Sequence, residues 1–174
     1  ALGYLGFTWF QSSQVTSDVK IYETQKINKQ AVTELDTVEE PNTVMDGSYT
    51  VEQDNTVLNW EGRTALKSHY GTVDLSEGNL NITNTNISGL VSFDMSTIVS
   101  EVGGGLDSHL KNEDFFDVEK HPVSILNINK YESGKIFGDL TIKGITNPVE
   151  LPVQLGVQAD TIYINGEFTI DRTL

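Results

Sequence analysis

The chain has no cysteine, and only 11 of its 174 residues are lysine or arginine. The absence of cysteine excludes disulfide bonds, thiolate metal sites and cysteine nucleophiles, and it suits an oxidising periplasm without fixing the compartment. The basic residues stand against 25 acidic ones, which gives a net charge of −14. Nucleic-acid-binding proteins neutralise phosphates with clustered lysines and arginines, so this composition argues against nucleic acid and disfavours anionic membrane surfaces.

Long apolar runs are also scarce. One such run, ten residues long, occupies residues 1–10 at the N-terminus. A helix needs about 20 apolar residues to cross a bilayer, so this segment is at most the end of a spanning helix or of a signal sequence. Trp9 and Phe10 fit a membrane interface, and the alternative is a first strand or an arm packed on its own domain. Residues 11–46 are polar and mostly acidic, which predicts a linker or loosely docked arm.

From Gly47 onward the hydrophobic period changes to two, and turn residues recur about every 8 to 12 positions, as in antiparallel sheets and barrels. In the clearest segment, Ile162, Ile164, Phe168 and Ile170 share one face. The candidate strands are residues 48–53, 57–63, 70–75, 79–83, 86–95, 123–131, 135–143, 147–157 and 161–170.

Three glycines, Gly89, Gly138 and Gly166, lie on the apolar faces of these strands. A missing side chain there permits sharp bending or leaves space inside. The pattern therefore predicts an all-β domain over residues 47–174. A barrel with room for a ligand and a sandwich with a solid core fit the pattern equally well.

The connection from Leu106 to His121 combines a short helix candidate with an adjacent pair, Phe115 and Phe116. Asp107 and Ser108 are expected to cap the first helical turn, and the proline after His121 ends any helical run. This segment is either a connector between two strands or a lid whose phenylalanines guard an apolar cavity.

No catalytic or metal-binding set is apparent in the sequence. The three histidines, His69, His109 and His121, are scattered without the spacing of a metal site. Nucleophile-elbow, phosphate-loop and dinucleotide-binding motifs are missing, and residues 103–105 are best interpreted as a flexible hinge. We therefore expect a protein that is not an enzyme, with no cofactor and no metal.

Several motifs after residue 47 resemble those of one family. They are VLNWEG from Val57, SHYGTV from Ser68, VSFDMSTIV from Val91, LDSHLKNEDFFDVEKHP from Leu106, GDLTIKGITNPVELPV from Gly138 and GEFTIDRT from Gly166. They resemble the YceI-like proteins, a bacterial family of secreted, lipocalin-like barrels associated with polyisoprenoid binding. The resemblance implies an antiparallel lipocalin-like β-barrel with a short helical lid between strands.

The chain departs from the family pattern at both ends. It stops at Leu174, where the family usually continues through a loop and a last strand, so the last strand is expected to be missing. An open edge invites strand addition from the apolar arm, a partner subunit or a second copy in a homodimer. The arm itself suggests a periplasmic protein tethered to the membrane through its N-terminus.

The resemblance implies non-enzymatic binding of an isoprenoid lipid, quinone-like or polyprenyl, inside the barrel for carriage or sequestration at the cell envelope. Lys67 or Lys111 is a candidate contact for the head group, and a neutral quinone ring fits the charge balance better than a diphosphate. The candidate ligand-binding residues are Trp60, Val91, Phe93, Phe115, Phe116, Leu126, Ile128, Leu140, Val153, Ile164 and Phe168.

Two other hypotheses remain. A membrane-tethered accessory subunit would use the barrel to pack on a larger membrane complex through the arm and the open edge. A lipid isomerase or cyclase would need a polar group on the apolar face, for which only Asn127 is a candidate.

Overall fold

A computed structural model describes residues 4–9, 15–16, 44, 46–63, 67–158 and 161–170. These residues form antiparallel strands and one short helix, which confirms the all-β prediction. The elements are β1 Tyr4–Trp9, β2 Val15–Thr16, β3 Gly47–Val51, β4 Val57–Arg63, β5 Ser68–Thr83, β6 Asn86–Ser100, α1 Gly105–Lys111, β7 Val123–Glu132, β8 Lys135–Ile142, β9 Ile145–Gln158 and β10 Thr161–Ile170.

The sheet curls until its ends meet. Strands β5 to β10 pair in chain order, each antiparallel to the next. The gap between β10 and β5 is filled at one end by β1 and β4 and at the other by β2 and β3. Every described strand thus has a paired strand on both sides, and this is how a barrel removes exposed sheet edges.

The N-terminal segment contributes two of these strands. Strand β1 pairs with β4 from Tyr4 opposite Arg63, and with β10 from Leu5 opposite Ile170. Strand β2 pairs with β3 and β10. Most of the predicted linker over residues 11–46 lies outside the described residues.

The predicted strands agree closely with the observed ones, and β4 and β10 have the predicted bounds. One expectation was wrong: residues 70–75 and 79–83 are parts of a single strand, β5. The sequence between them resembles a turn, but Gly78 lies within the strand, where a Cβ would be 2.6 Å from Val51. The register shift against β6 falls here, between Leu75 and Glu77, so the strand bends without ending.

Two of the inward glycines permit close approach of neighbouring strands and do not leave empty space. A Cβ at Gly138 would lie 2.2 Å from the carbonyl oxygen of Asn127, and one at Gly89 would lie 2.1 Å from that of Asn79. Gly89 also has a φ of 146°, which L side chains rarely adopt. These positions allow the strong coiling that closes a barrel.

One end of the barrel is filled. Around the β5–β6 turn at Asn84 and the β7–β8 turn at Gly134, the inward side chains are buried against one another. They include Tyr49, Leu80, Ile82, Ile87, Ile128, Ile136, Ile162 and Ile164. The opposite end is bounded by α1, the loop that follows it and the β8–β9 turn.

Helix α1 is held to the end of β6 by Asp107. Its carboxylate accepts hydrogen bonds from the backbone amide of Ser100 at 2.7 Å and from the Ser100 hydroxyl at 2.6 Å. The expected side-chain cap is therefore not formed, because Asp107 points to the strand and Gly104 is the N-cap residue. The chain leaves helical structure before His121, as predicted, and β7 begins at Val123.

Candidate ligand cavity

A cavity of about 310 Å³ lies between the loop after α1 and the strands β8 to β10. Most of its wall is formed by inward apolar side chains of these three strands. The lining residues are Phe115, Phe116, Leu140, Ile142, Lys143, Ile145, Asn147, Pro148, Val149, Glu150, Leu151, Phe168, Thr169 and Ile170.

A second, smaller pocket of about 40 Å³ lies deeper in the barrel. It reaches across to Leu58, Val73, Phe93, Met95, Ser124 and Leu126 on strands β4 to β7. Five residues line both spaces: Phe116, Leu140, Ile142, Leu151 and Phe168. The two spaces are therefore adjacent, and these five side chains form the partition between an outer cavity and an inner pocket.

The two phenylalanines of the loop are fixed by local hydrogen bonds. The Phe116 amide donates to the carbonyl oxygen of Leu110 at 3.1 Å, and the Val118 amide donates to that of Lys111 at 3.0 Å. Phe115 and Phe116 meet edge to face with ring centroids 4.7 Å apart. Phe116 is buried and Phe115 is half-buried, so the first closes the inner pocket and the second borders the outer cavity.

Four polar residues line the outer cavity: Lys143, Asn147, Glu150 and Thr169. Lys143, in the β8–β9 turn, donates from Nζ to the carbonyl oxygen of Glu113 at 2.7 Å. The Lys135 ammonium donates to a carboxylate oxygen of Glu150 at 3.1 Å. Among the lining residues within the described part of the chain, Lys143 is the only basic one.

Sequence reasoning missed Lys143, Ile142, Ile145 and Ile170 as lining residues. Lys143 and Gly144 both have positive φ, as in a tight hairpin turn, and the sequence Lys-Gly between two strands is a signal for that turn. Nothing in the local sequence indicates that the turn lies opposite the α1 loop.

The structure divides the predicted ligand-binding residues into three groups. Six of them line the outer cavity or the inner pocket: Phe93, Phe115, Phe116, Leu126, Leu140 and Phe168. Four others, Val91, Ile128, Val153 and Ile164, are buried in the core outside both spaces. Trp60 is buried on the β4–β5 side, where its indole Nε1–H donates to the carbonyl oxygen of Val99 at 3.1 Å.

The other predicted polar contacts lie elsewhere. Neither Lys67 nor Lys111 lines the outer cavity or the inner pocket. Asn127 is exposed on the outer face, with its amide 3.4 Å from Asn129 Oδ1, so it is not the inward polar group that the isomerase hypothesis needs.

The histidines are separate from one another in space as well as in sequence. His69 pairs with Glu101 at 3.1 Å, and His109 meets Phe115 edge to face. Among the described residues, no group of three or more histidines and carboxylates is arranged to hold a metal ion. The same part of the chain contains no helix that is long and apolar enough to span a membrane.

A closed antiparallel barrel with an apolar cavity under a helical connection is typical of lipocalin-like binding proteins. The chain matches the YceI-like domain over residues 49–174, which is most of its length. The protein therefore belongs to the YceI-like family, and the resemblance seen in its sequence motifs is confirmed.

Two solved structures are similar to this chain at low sequence identity. The BcnA protein of Burkholderia cenocepacia is 16% identical, with a TM-score of 0.45 over 58% of this chain and 87% of that one. A YceI protein of Campylobacter jejuni is 15% identical, with a TM-score of 0.41 over 88% of this chain and 99% of that one. No curated protein matches the sequence.

Proposed function

We propose that this protein binds an isoprenoid lipid, quinone-like or polyprenyl, in the outer cavity and carries or sequesters it at the cell envelope without chemical change. The observation that supports this proposal is the apolar wall contributed by β8, β9 and β10. Each buried methylene-sized unit contributes about 0.8 kcal/mol, so such a wall binds an isoprenoid chain without specific polar contacts. The volume of about 310 Å³ is at the lower end of the range of small-molecule sites.

The partition between the two spaces suggests how a longer ligand is accommodated. Phe116 and Phe168 are side chains at the boundary, and rotation of either ring would join the outer cavity to the inner pocket. A lipid chain that entered between them would replace their contacts with neighbouring side chains by its own.

The charge around the rim favours a neutral ligand. Glu113 and Asp114 are exposed on the loop beside the cavity, and the whole chain carries a net charge of −14. If the ligand carried a diphosphate, a single lysine, Lys143, would have to compensate its negative charge beside these acidic residues. A quinone or another neutral head group needs no such compensation.

We further propose a periplasmic location. The lack of cysteine and the family membership support this location. Attachment to the membrane through the N-terminus has less support, because residues 4–9 of the apolar arm form strand β1 of the barrel. The accessory-subunit hypothesis has less support, because the open edge was expected to take a strand from the apolar arm or from a partner, and β1 of the arm lies between β4 and β10.

The proposed function can be tested by filling the outer cavity with one bulky side chain and measuring ligand binding. Ile142 is half-buried and lines both spaces, so Ile142→Trp should fill the outer cavity. The matched control is Glu167→Trp, which adds the same ring on the exposed face of β10 next to Phe168. Both variants and the wild type are titrated with a fluorescent apolar probe and then with a prenyl quinone as competitor.

We expect Ile142→Trp to weaken binding of probe and quinone at least tenfold, and Glu167→Trp to bind both like the wild type. Equal unfolding temperatures of the two variants would show that the block, and not misfolding, causes the loss. Binding that survives Ile142→Trp unchanged, or a wild-type protein that binds neither compound, would contradict the proposed function.

A further inference from the structure

The inner pocket contains one polar side chain that has no partner. Ser124 is 5% exposed and lies on the inward face of β7, opposite Phe93 of β6. Its Oγ is buried and makes no hydrogen bond to any described residue. Every other described residue that lines the inner pocket is apolar.

A buried hydroxyl without a partner destabilises a folded protein by the cost of removing it from water. A water molecule is a poor partner here, because a buried water needs two to four polar groups and the described side chains of this pocket supply one. The missing partner must therefore enter with a ligand if the hydroxyl is to be satisfied.

One other side-chain hydroxyl among the described residues is also buried without a hydrogen-bond partner. Thr56 is 3% exposed, and its Oγ1 is also unpaired. Thr56 precedes β4 and lines neither the outer cavity nor the inner pocket. It therefore offers a matched control for a buried hydroxyl that a ligand does not reach.

We propose that the Ser124 hydroxyl donates a hydrogen bond to a neutral carbonyl oxygen of the bound lipid, which enters with its polar end inward. This inference rests on the proposed function and adds the orientation and chemical class of the ligand. The tail then lies in the outer cavity against β8 to β10 and leaves past the rim near Lys143.

The surroundings of Ser124 select a neutral head group. A carboxylate or phosphate in the inner pocket would lose its hydration, and the lining residues that the structure describes include no lysine, arginine or histidine. A carbonyl oxygen of a quinone, an ester or an amide has a far smaller desolvation cost and needs one donor, which Ser124 supplies. Phe116 and Phe168 must turn aside to admit it, because they line both spaces.

The test uses two ligands that differ in their oxygen atoms. Decyl-benzoquinone and decylbenzene share a six-membered carbon ring and a ten-carbon tail, and only the first has carbonyl oxygens. Their affinities are measured by displacement of a fluorescent apolar probe from the wild type, Ser124→Ala and Thr56→Val. A long-chain methyl ester in the same series separates a quinone carbonyl from an ester carbonyl, since the tighter competitor identifies the source.

We expect Ser124→Ala to weaken the binding of the quinone or the ester about tenfold, which corresponds to about 1.4 kcal/mol. The affinity for decylbenzene should be unchanged. Thr56→Val should bind all three ligands like the wild type. The infrared band of the bound carbonyl should shift to lower frequency in the wild type and return towards its free position in Ser124→Ala, a signal that a general loss of packing would not produce.

Two outcomes overturn the inference and are distinguishable. If the wild type binds decylbenzene and the carbonyl ligands, and Ser124→Ala changes neither the affinities nor the infrared band, the orientation is wrong while the proposed function stands. If the wild type binds none of the ligands, the inference fails together with the proposed function.

Discussion

Lys143 and Glu113 join the two segments that border the outer cavity. The Lys143 ammonium donates to the main-chain oxygen of Glu113 at 2.7 Å across 30 positions of sequence. On one side is the β8–β9 turn, and on the other is the loop that carries Phe115 and Phe116. A ligand that enters between turn and loop must pass this contact.

Lys143→Met should loosen the rim without unfolding the barrel. The lost charged hydrogen bond is partly exposed, so we expect a decrease of about 0.5–1.5 kcal/mol in the free energy of unfolding. Amide hydrogen exchange over residues 112–118 and the release of an apolar probe should both become several-fold faster. Lys130→Met is the control, because the exposed Lys130 pairs with Glu132 of the same strand, β7, and neither residue lines the cavity. Equal exchange and release rates in the two variants would show that the contact does not hold the rim.

Phe116→Ala should join the outer cavity and the inner pocket. Removal of a buried phenylalanine costs about 3–5 kcal/mol, because the space left behind is not refilled. A saturating apolar compound should restore part of this loss, since a ligand that binds only the folded state stabilises it by mass action. Thermal unfolding with and without the compound measures both effects.

The control for Phe116→Ala is Phe137→Ala. Phe137 is half-buried in β8 and lies under the Lys130 ammonium, 4.6 Å from the ring centroid. It lines neither space, so its loss should cost less and should not make unfolding sensitive to the compound. A Phe116→Ala protein that the compound does not stabilise would contradict the proposed partition.

The strands from β3 onward were largely predictable because each has its own local signal, whereas β2 lies in the segment predicted to be a linker. Alternation of apolar and polar residues defines β4 and β10 completely, since one face of each strand is inside the barrel. The continuity of β5 was not predictable, because Gly78 looks like a turn residue until Val51 of β3 packs against it.

The site was only partly predictable for a related reason. The alternation shows that Phe93 and Ile128 both point inward, but it does not show which end of the barrel is filled. Ile128 lies in the filled end and Phe93 borders the inner pocket, a difference set by contacts between distant strands. Ser124 also follows the alternation, and its importance depends on the absence of a partner, which a sequence does not reveal.

Glu101 should make stability depend on pH in the acid range. Burial acts to raise the pKa of its carboxyl group, but hydrogen bonds from the backbone amides of Tyr70 and Glu101 and from the His69 ring outweigh it, and the pKa is lowered. A lowered folded-state pKa means that the charged form stabilises the protein above the ordinary value of 4.5, and that this contribution is lost as pH falls through the folded-state pKa.

Glu101→Gln should therefore be less stable than the wild type at about pH 6, and the difference should shrink by about pH 3. Urea unfolding of both proteins at several pH values measures this difference in the free energy of unfolding. Glu167→Gln replaces an exposed glutamate of β10 and is the control. A difference between wild type and Glu101→Gln that stays constant across this range would contradict the assignment.

Gly138→Ala should test whether the closure of the barrel depends on close contact between β7 and β8. The added Cβ would lie 2.2 Å from the Asn127 carbonyl oxygen, so the two strands must separate or the backbone must strain. We expect a loss of about 3 kcal/mol or more in the free energy of unfolding, measured in urea. Gly156→Ala is the control, because its Cβ would meet Tyr163 Cβ at an ordinary 3.7 Å. That variant should be unchanged or up to about 1 kcal/mol more stable, since alanine reduces the freedom of the unfolded chain. If both substitutions had the same small effect, strands β7 and β8 would not approach as closely as the barrel requires, and the position of Leu140 in the cavity wall would have to be revised.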